Sequence, residues 1–359
     1  MKIRLHEKIH AELRREILSQ RKPGERLPSE AELAKRFQVS IVTLRNATQA
    51  LESDGLVKRI SGVGVVVCER KTRGRLALVS RDVAFDPRPL YFHLRFTPLL
   101  QRNLIQAGWQ TVTHLQIGSD SASLSDLQSE MSRGHYDAII WTLGDAPKDF
   151  RDAAQERGVM LLGGRDRALV QVDSDAMIRS GVDHLVAAGC RRVAGLFSGP
   201  PTELPGSDND HATQVFNERL HHHGLKTAPG RVVQDTEARL LGSGWQGFRD
   251  LWTASRDRPD GLLVLDDVLY RDAARAILEL GIRVPSHLHI VTHSNRGDDL
   301  VHPFPVSLLE VDPEEMAAAA ADFIIQSLEG QPASARAIPV RLIEAREAKT
   351  STSQLLHHS

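Results

Sequence analysis

From residue 76 onward the chain repeats one pattern that few folds satisfy: a short apolar run, a turn, then an amphipathic stretch of helical period. The runs are "LALVS" (76–80), "VTHLQI" (112–117), "YDAIIW" (136–141), "VMLLGG" (159–164), "RVAGLFS" (192–198), "GLLVLDD" (261–267) and "LHIVTHS" (288–294). Helical stretches lie between most of them, at 94–107, 123–133, 175–188, 210–223 and 270–280. Alternation of this kind builds parallel sheets covered by helices on both faces, an α/β architecture. With so many strands over residues 76–346, two such lobes are expected and not one sheet.

The first 69 residues follow a different rule. In "LHEKIHAELRREIL", Ile9, Leu13 and Ile17 recur every four residues and form one apolar stripe on a helix that ends before Pro23-Gly24. In "LPSEAELAKRF", Ser29 followed three residues later by Glu32 is a capping box opening a short helix that buries Leu33, Ala34 and Phe37. After a tight Gln38-Val39 turn, Ser40 caps another helix whose Leu44, Ala47, Thr48 and Leu51 face inward, and Gly55 stops it. Two short helices joined by so few residues suggest a helix-turn-helix. "GLVKRISGVGVVVCE" then reads as two strands around the turn Ser61-Gly62-Val63-Gly64, a wing.

Charge separates the same two regions. Residues 1–75 hold 17 Lys/Arg against 9 Asp/Glu, and the remainder 28 against 37, within a chain of formal net charge -1. A concentrated basic module attracts phosphates, although the same excess can simply solvate a surface. No apolar run reaches the length of a membrane span, and the N-terminus lacks a signal-peptide apolar core, so a cytoplasmic protein with no membrane partner is expected. Cys68 and Cys190 lie in different regions, which argues against a disulfide framework or a Cys-based zinc site.

The stretch "LPSEAELAKRFQVSIVTLRNATQALESDGLVKRISGVGVVV" resembles the winged helix-turn-helix of GntR-type bacterial transcription regulators, with the whole motif order intact. The resemblance implies that the helix from Ser40 enters the major groove of a double-stranded operator and that the wing tip at Gly62 approaches the minor groove or backbone. If Leu44, Ala47 and Leu51 are buried, then Ile41, Val42, Arg45, Asn46 and Gln49 face the groove. Arg45 suits guanine or a phosphate, Asn46 or Gln49 suits adenine, and Ile41 and Val42 can pack on thymine methyls. Thr43 matches a family hydroxyl that often meets phosphate, and Lys35, Arg36, Lys58 and Arg59 are candidates for backbone contacts. Family members commonly place Arg where this chain has Ile41, often Arg at Ala31, and a basic residue at Val63. Those departures imply modest affinity or a thymine-rich site, unless Ile41 and Val42 seal a protein contact instead.

"ERKTRGR" (69–75) is charged and without apolar period, as a linker should be, which divides the chain into a head (1–69), a linker (70–75), a body (76–346) and a tail (347–359). In the body, "VQVDSDAMIRSGVDHLVAAGCRRVAGLFSG", "FNERLHHHGL", "GLLVLDDVLYRDAARAILELGIRVPSHLHIVTHSN" and "VDPEEMAAAAADFIIQSLEG" resemble the effector domain of LacI-type regulators, the two-lobed type I periplasmic-binding-protein fold. The resemblance implies a homodimer on a pseudo-palindromic operator, repression as the default, and a sugar or related polar effector at the C-terminal ends of strands. The candidates there are Ser80, Arg81, Asp82, Trp141, Arg165, Ser198, Asp267, His293 and Asn295, with Asp173 placed at the hinge. Asp267 matches a carboxylate that accepts hydrogen bonds from sugar hydroxyls, whereas a family Arg falls near Ala212 and a family Asp at Ser294, so the usual sugar grip is incomplete. His211, Arg165 or His293 can substitute, and Trp141 is open to two roles, stacking on a sugar or plain packing.

An enzyme is disfavoured. "HHH" at 221–223 lacks the i, i+4 spacing of two metal ligands on one helix face, no GxSxG elbow occurs, and "SGVGVVV" is too short for a dinucleotide fingerprint. Asp266-Asp267 has no nucleophile or metal set nearby in sequence. Neither cofactor nor metal is expected. The rival of a different class is a small-molecule sensor that works through protein contacts with a degenerate head.

Overall fold

In the computed structural model the described residues are 5–68, 73–81, 91–116, 124–142, 145–164, 168–198, 208–235, 242–253, 257–297 and 302–345. The head consists of α1 (Leu5–Gln20), α2 (Glu30–Phe37), α3 (Ile41–Ser53), β1 (Val57–Ile60) and β2 (Gly64–Val67). Its core is the set that the periodicity selects: Ile9, Leu13 and Ile17 from α1, Leu33 and Ala34 from α2, and Leu44, Ala47 and Leu51 from α3, with Phe37 only partly buried against them. The capping box forms as expected, Ser29 accepting from the Glu32 backbone while the Glu32 side chain returns to the Ser29 backbone. Gln38 ends α2 in the left-handed region at φ 56°, and its N–H reaches back to Ala34 and Lys35 carbonyls, which turns the chain sharply into α3. β1 and β2 pair antiparallel, Val57 opposite Val67 and Ile60 opposite Gly64.

Two compact units make up the chain. One comprises residues 1–82, 97–169 and 317–335, and the other 83–96, 170–316 and 336–359. The first contains the head together with a parallel sheet in the order β4-β3-β5-β6. Its elements are β3 (Gly74–Arg81), β4 (Trp109–Gln116), α5 (Ser125–Ser132), β5 (Ala138–Trp141), α6 (Lys148–Glu156) and β6 (Met160–Gly163), while α4 (Tyr91–Gln106) enters it from residue 97. β5 is buried at every position, as a central strand covered on both faces must be. Gly74 and Arg75 already belong to β3, so the linker expected at 70–75 gives way to strand at its end; residues 69–72 and the tail at 347–359 lie outside the described residues.

The second unit holds β7 (Gln171–Val172), α7 (Ser174–Ala187), β8 (Val193–Ser198), α8 (Asp208–His222), β9 (Val232–Asp235), α9 (Ser243–Thr253), β10 (Gly261–Val264), α10 (Asp267–Glu279), β11 (His289–Asn295) and β12 (Ser307–Val311). After α11 (Pro313–Leu328), which leads out of it, the chain returns as β13 (Ala337–Ile338) and β14 (Arg341–Ile343). The sheet order is β14-β12-β11-β10-β8-β9, parallel throughout except for β14 on β12, and β13 pairs separately with β7. The apolar run at 261–267 is not one strand: it stops at Val264, and Asp266 caps α10 by accepting from the Val268 and Leu269 backbones. Beyond Val264 the Leu265 N–H still reaches the Leu196 carbonyl of β8 at 3.3 Å, and the Asp266 carboxylate then takes the Val268 and Leu269 N–H groups into a helix start.

Within the first unit the head is fastened to the parallel sheet. Arg14 of α1 donates to both oxygens of Asp137, at 2.8 and 3.0 Å, and Asp137 also accepts from the Arg75 backbone at 2.7 Å. Both ionic side chains are largely covered, 12% and 17% exposed. Beside them His10 bonds Asp54 at the end of α3 at 2.7 Å. Burial works against ionisation of Asp54, yet the His10 hydrogen bond and the nearby charges of His10, Arg14 and His135 hold its carboxyl below the usual range.

Candidate nucleic-acid interface and ligand site

The helix after the turn, α3, has two chemically different sides. Leu44, Ala47, Thr48 and Leu51 are buried, while Ile41, Val42, Arg45, Asn46 and Gln49 are all exposed, as the spacing predicts. Ile41 is 48% exposed and Val42 66%, so the first turn of α3 presents an apolar edge to solvent; Val63 at the wing tip is another, at 44%. Ser40 caps α3 by accepting from the Thr43 backbone at 3.1 Å, and the two hydroxyls also bond each other at 2.9 Å. Thr43 therefore keeps a fixed hydroxyl at the helix N-terminus, where backbone N–H groups and the helix dipole favour an anion such as phosphate. Gly62 turns the wing with φ 75°, a conformation that a residue with a Cβ adopts only under strain.

The basic residues are distributed less simply. Lys35 and Lys58 are exposed. Arg36 is paired with Glu16 at 2.7 Å and lies over the Phe37 ring, so its engagement of a phosphate has an intramolecular competitor. Arg45 and Arg59 both bond Glu30, a residue with no distinguishing signal in the sequence pattern, because their convergence exists only once α2, α3 and the wing are packed. Arg26, next to β2 through a bridge to Val66, is a further cation beside the wing that the motif spacing does not reveal.

Those ligand-site candidates that are described lie at or just beyond strand ends, where parallel sheets bind ligands. In the first unit the strand order reverses between β3 and β5, and in the second between β8 and β10; the C-terminal ends at such a reversal are the usual place. Ser80 is buried at the end of β3, one residue beyond Val79, which pairs with Trp141 at the end of β5. The Trp141 ring packs edge-on against Phe150 at 5.4 Å within the core and is 3% exposed, which favours packing over stacking on a ligand. The Arg81 side chain, Asp82 and Arg165 lie outside the described residues.

In the second unit Ser198 ends β8 exposed, Asp267 opens α10 buried, and His293 and Asn295 close β11. Asn295 is 1% exposed, yet neither its amide nitrogen nor its amide oxygen has a hydrogen-bond partner among the described residues. Elsewhere in the same unit the Tyr270 hydroxyl and His302 Nδ1 are likewise unpartnered among those residues, and their two rings lie 5.4 Å apart. Burial pushes the Tyr270 phenol up and the His302 imidazole down, with the Arg271 charge adding to the latter, so both stay neutral at neutral pH. Buried polar atoms left without partners are rare in native proteins, and a neutral donor and acceptor side by side, as in Tyr270 and His302, suit hydroxyls better than a charged ligand. Tyr270 and His302 escaped the sequence reading because one is a helix residue of apolar appearance and the other follows a strand by several residues. Asp173 caps α7 by accepting from the Ala176 backbone, and His211 bonds Asp175 at 3.0 Å.

Among the described residues no group of three or more His, Cys, Asp or Glu gathers in a way that would hold a metal ion. Within "HHH", His223 bonds Asp183 at 2.7 Å beside Arg219, an ordinary surface cluster. Cys68 and Cys190 are both free thiols. No described helix is long and apolar enough to cross a membrane.

A basic winged head joined to a two-sheet body is a combination of two known domain classes. Residues 5–67 match the gntR family of bacterial regulatory proteins, and residues 182–346 match the periplasmic binding protein-like domain. Among curated relatives, the arabinose metabolism transcriptional repressor of Geobacillus stearothermophilus is 22% identical over 337 residues, covering 89% of this chain and 91% of that one. The lactose operon repressor of Escherichia coli is 25% identical over 181 residues, 49% of this chain and 47% of that one. Among solved structures, a complex of the transcriptional regulator CelR with cellobiose aligns with a TM-score of 0.58 at 20% identity, over 86% of this chain and 91% of that chain. The lac repressor dimer bound to operator and the anti-inducer ONPF aligns with a TM-score of 0.59 at 19% identity, over 76% and 92%. At such identities the structural likeness establishes the fold.

Proposed function

We infer that this protein is a ligand-responsive DNA-binding regulator of transcription. The observation that carries this reading is the exposed face of α3, where Ile41, Val42, Arg45, Asn46 and Gln49 project from a helix seated on the head's core beside a wing. Such a face reads base edges in the major groove, with the basic surroundings supplying attraction to phosphates. In the body, Asn295, Tyr270 and His302 each carry a buried polar atom without a partner among the described residues, which a polyhydroxylated effector, a sugar or a derivative, would satisfy; Ser198 ends β8, His293 lies in β11 and Asp267 opens the helix after β10. The arabinose repressor and the cellobiose complex among the relatives support that ligand class. The protein acts as a homodimer on a two-fold-related operator, and effector binding in the body changes operator affinity, with repression as the sign.

The test is capture of fragmented source DNA on the purified protein at near-physiological salt, followed by sequencing. Enrichment of a two-fold-related site is expected, and Arg45→Ala should abolish the enrichment while leaving effector binding intact. Uniform, salt-sensitive capture would instead favour a sensor whose head, with Ile41, Val42 and Val63 exposed, works through protein contacts. A thermal-shift screen of sugars, polyols and sugar acids then finds the effector, since a ligand specific for the folded state raises its melting temperature.

A further inference from the structure

One carboxylate in the head is shared by two elements of its DNA-facing side. Glu30, the first residue of α2, accepts from Nη2 of Arg59 on β1 at 2.7 Å through Oε1. Through Oε2 it accepts from Arg45 on α3, at 3.3 Å from Nη2 and 3.4 Å from Nε. Glu30 is only 17% exposed, whereas the two arginines are 59% and 47% exposed, so the cations stand outward over a covered acid. The Arg59 hydrogen bond, acting against burial and aided by the Arg59 charge and by Arg45, holds the Glu30 carboxyl below the usual range.

A negative charge on a phosphate-facing surface weakens every sequence-independent contact, so its place there needs a reason. Helix capping does not supply one, because Ser29 and Glu32 already complete the capping box. Orientation does. An unrestrained arginine loses rotamer freedom when it meets a base, whereas one whose Nε and Nη2 edge is already held has lost that freedom before binding.

We propose that Glu30 is the positioning residue for DNA readout: it aims Arg45 and Arg59 together, increasing discrimination between operator and other DNA at the expense of general affinity. This rests on the DNA-binding reading above. The triad of Glu30, Arg45 and Arg59 has a net charge of +1, which Glu30→Gln raises to +2. Non-specific binding should therefore tighten, and its dependence of log K on log salt should steepen by about 0.9. At the same time the ratio of operator to non-specific affinity should fall about tenfold as two arginine side chains regain freedom. Glu30→Asp separates the two effects. It keeps the charge and suits a helix start, but its shorter side chain cannot span both arginines, so the ratio should fall with the salt slope unchanged.

The experiment measures binding of full-length protein to the captured site and to a scrambled duplex at several salt concentrations, for wild type, Glu30→Gln and Glu30→Asp, with melting temperature as the control for folding. A ratio that stays within twofold of wild type in Glu30→Asp overturns the positioning role and leaves Glu30 as a helix-start charge; so does a Glu30→Gln variant whose non-specific affinity and salt slope do not rise. A wild-type protein that fails to distinguish the two duplexes would refute the DNA-binding reading itself, a different result from a discriminating wild type whose variants discriminate equally well.

Discussion

Replacing Asp137 with Asn removes the charge that fastens the head to the sheet of the first unit while preserving the shape of the side chain. The loss can be sized from the structure. Removing one member of a fully buried ion pair costs about 3–5 kcal/mol, and an exposed pair contributes about 0–1 kcal/mol. Arg14 and Asp137 are 12% and 17% exposed and meet through two hydrogen bonds, which places them nearer the buried limit. The amide oxygen of the variant still accepts from the Arg75 backbone, so that bond is retained. A loss of about 2–3 kcal/mol follows, which at about 2–4 °C per kcal/mol for a unit of this size lowers its melting transition by about 5–10 °C. The assay is calorimetry on wild type, Asp137→Asn, Arg14→Gln and the double variant. Because the cycle cancels whatever each residue does apart from the other, a coupling of about 2 kcal/mol is expected between two side chains 123 positions apart. Additive losses, or an Asp137→Asn protein that melts with wild type, would refute the argument that this contact holds the head.

Two further outcomes follow from single side chains. Asn295→Leu replaces a buried amide that has no partner among the described residues with an apolar group of similar size, relieving a desolvation penalty of about 1–3 kcal/mol; the ligand-free melting temperature should rise while the shift caused by effector disappears, and retention of that shift would remove Asn295 from the site. Glu16, 12% exposed, has its carboxyl held below the usual range by the Arg21 hydrogen bond, against burial and with help from Arg36. Its depressed folded-state pKa means the ionic contribution is complete above the unfolded value of about 4.3 and vanishes as pH falls through the lower folded value. The stability gap between wild type and Glu16→Gln should therefore be constant above about pH 5 and close in acid, and a gap unchanged down to about pH 2 would refute the assignment.

Much of this protein was legible without coordinates, because periodicity and capping act locally. Ile9, Leu13 and Ile17 every four residues, Ser29 with Glu32, and Ser40 ahead of Leu44 and Ala47 are read by the chain within one or two turns of itself, and each has the expected place in the structure. The alternation of apolar runs and amphipathic stretches likewise dictates parallel sheets, since a strand buried on both faces and followed by a helix has no other way to satisfy its backbone and cover its apolar surface. Tertiary structure decided the rest. Whether Trp141 met solvent or Phe150 depended on α6, which is far from Trp141's own pattern in the sheet. That Asp266 would cap a helix, ending β10 at Val264, depended on which partner its next N–H groups found. The convergence of Arg45 and Arg59 on Glu30, of Arg14 on Asp137, and of Tyr270 on His302 joins residues whose separations in sequence carry no periodic signal. Local interactions choose the elements, but a charge or a buried amide acquires its partner, or is left without one, only when the elements have packed.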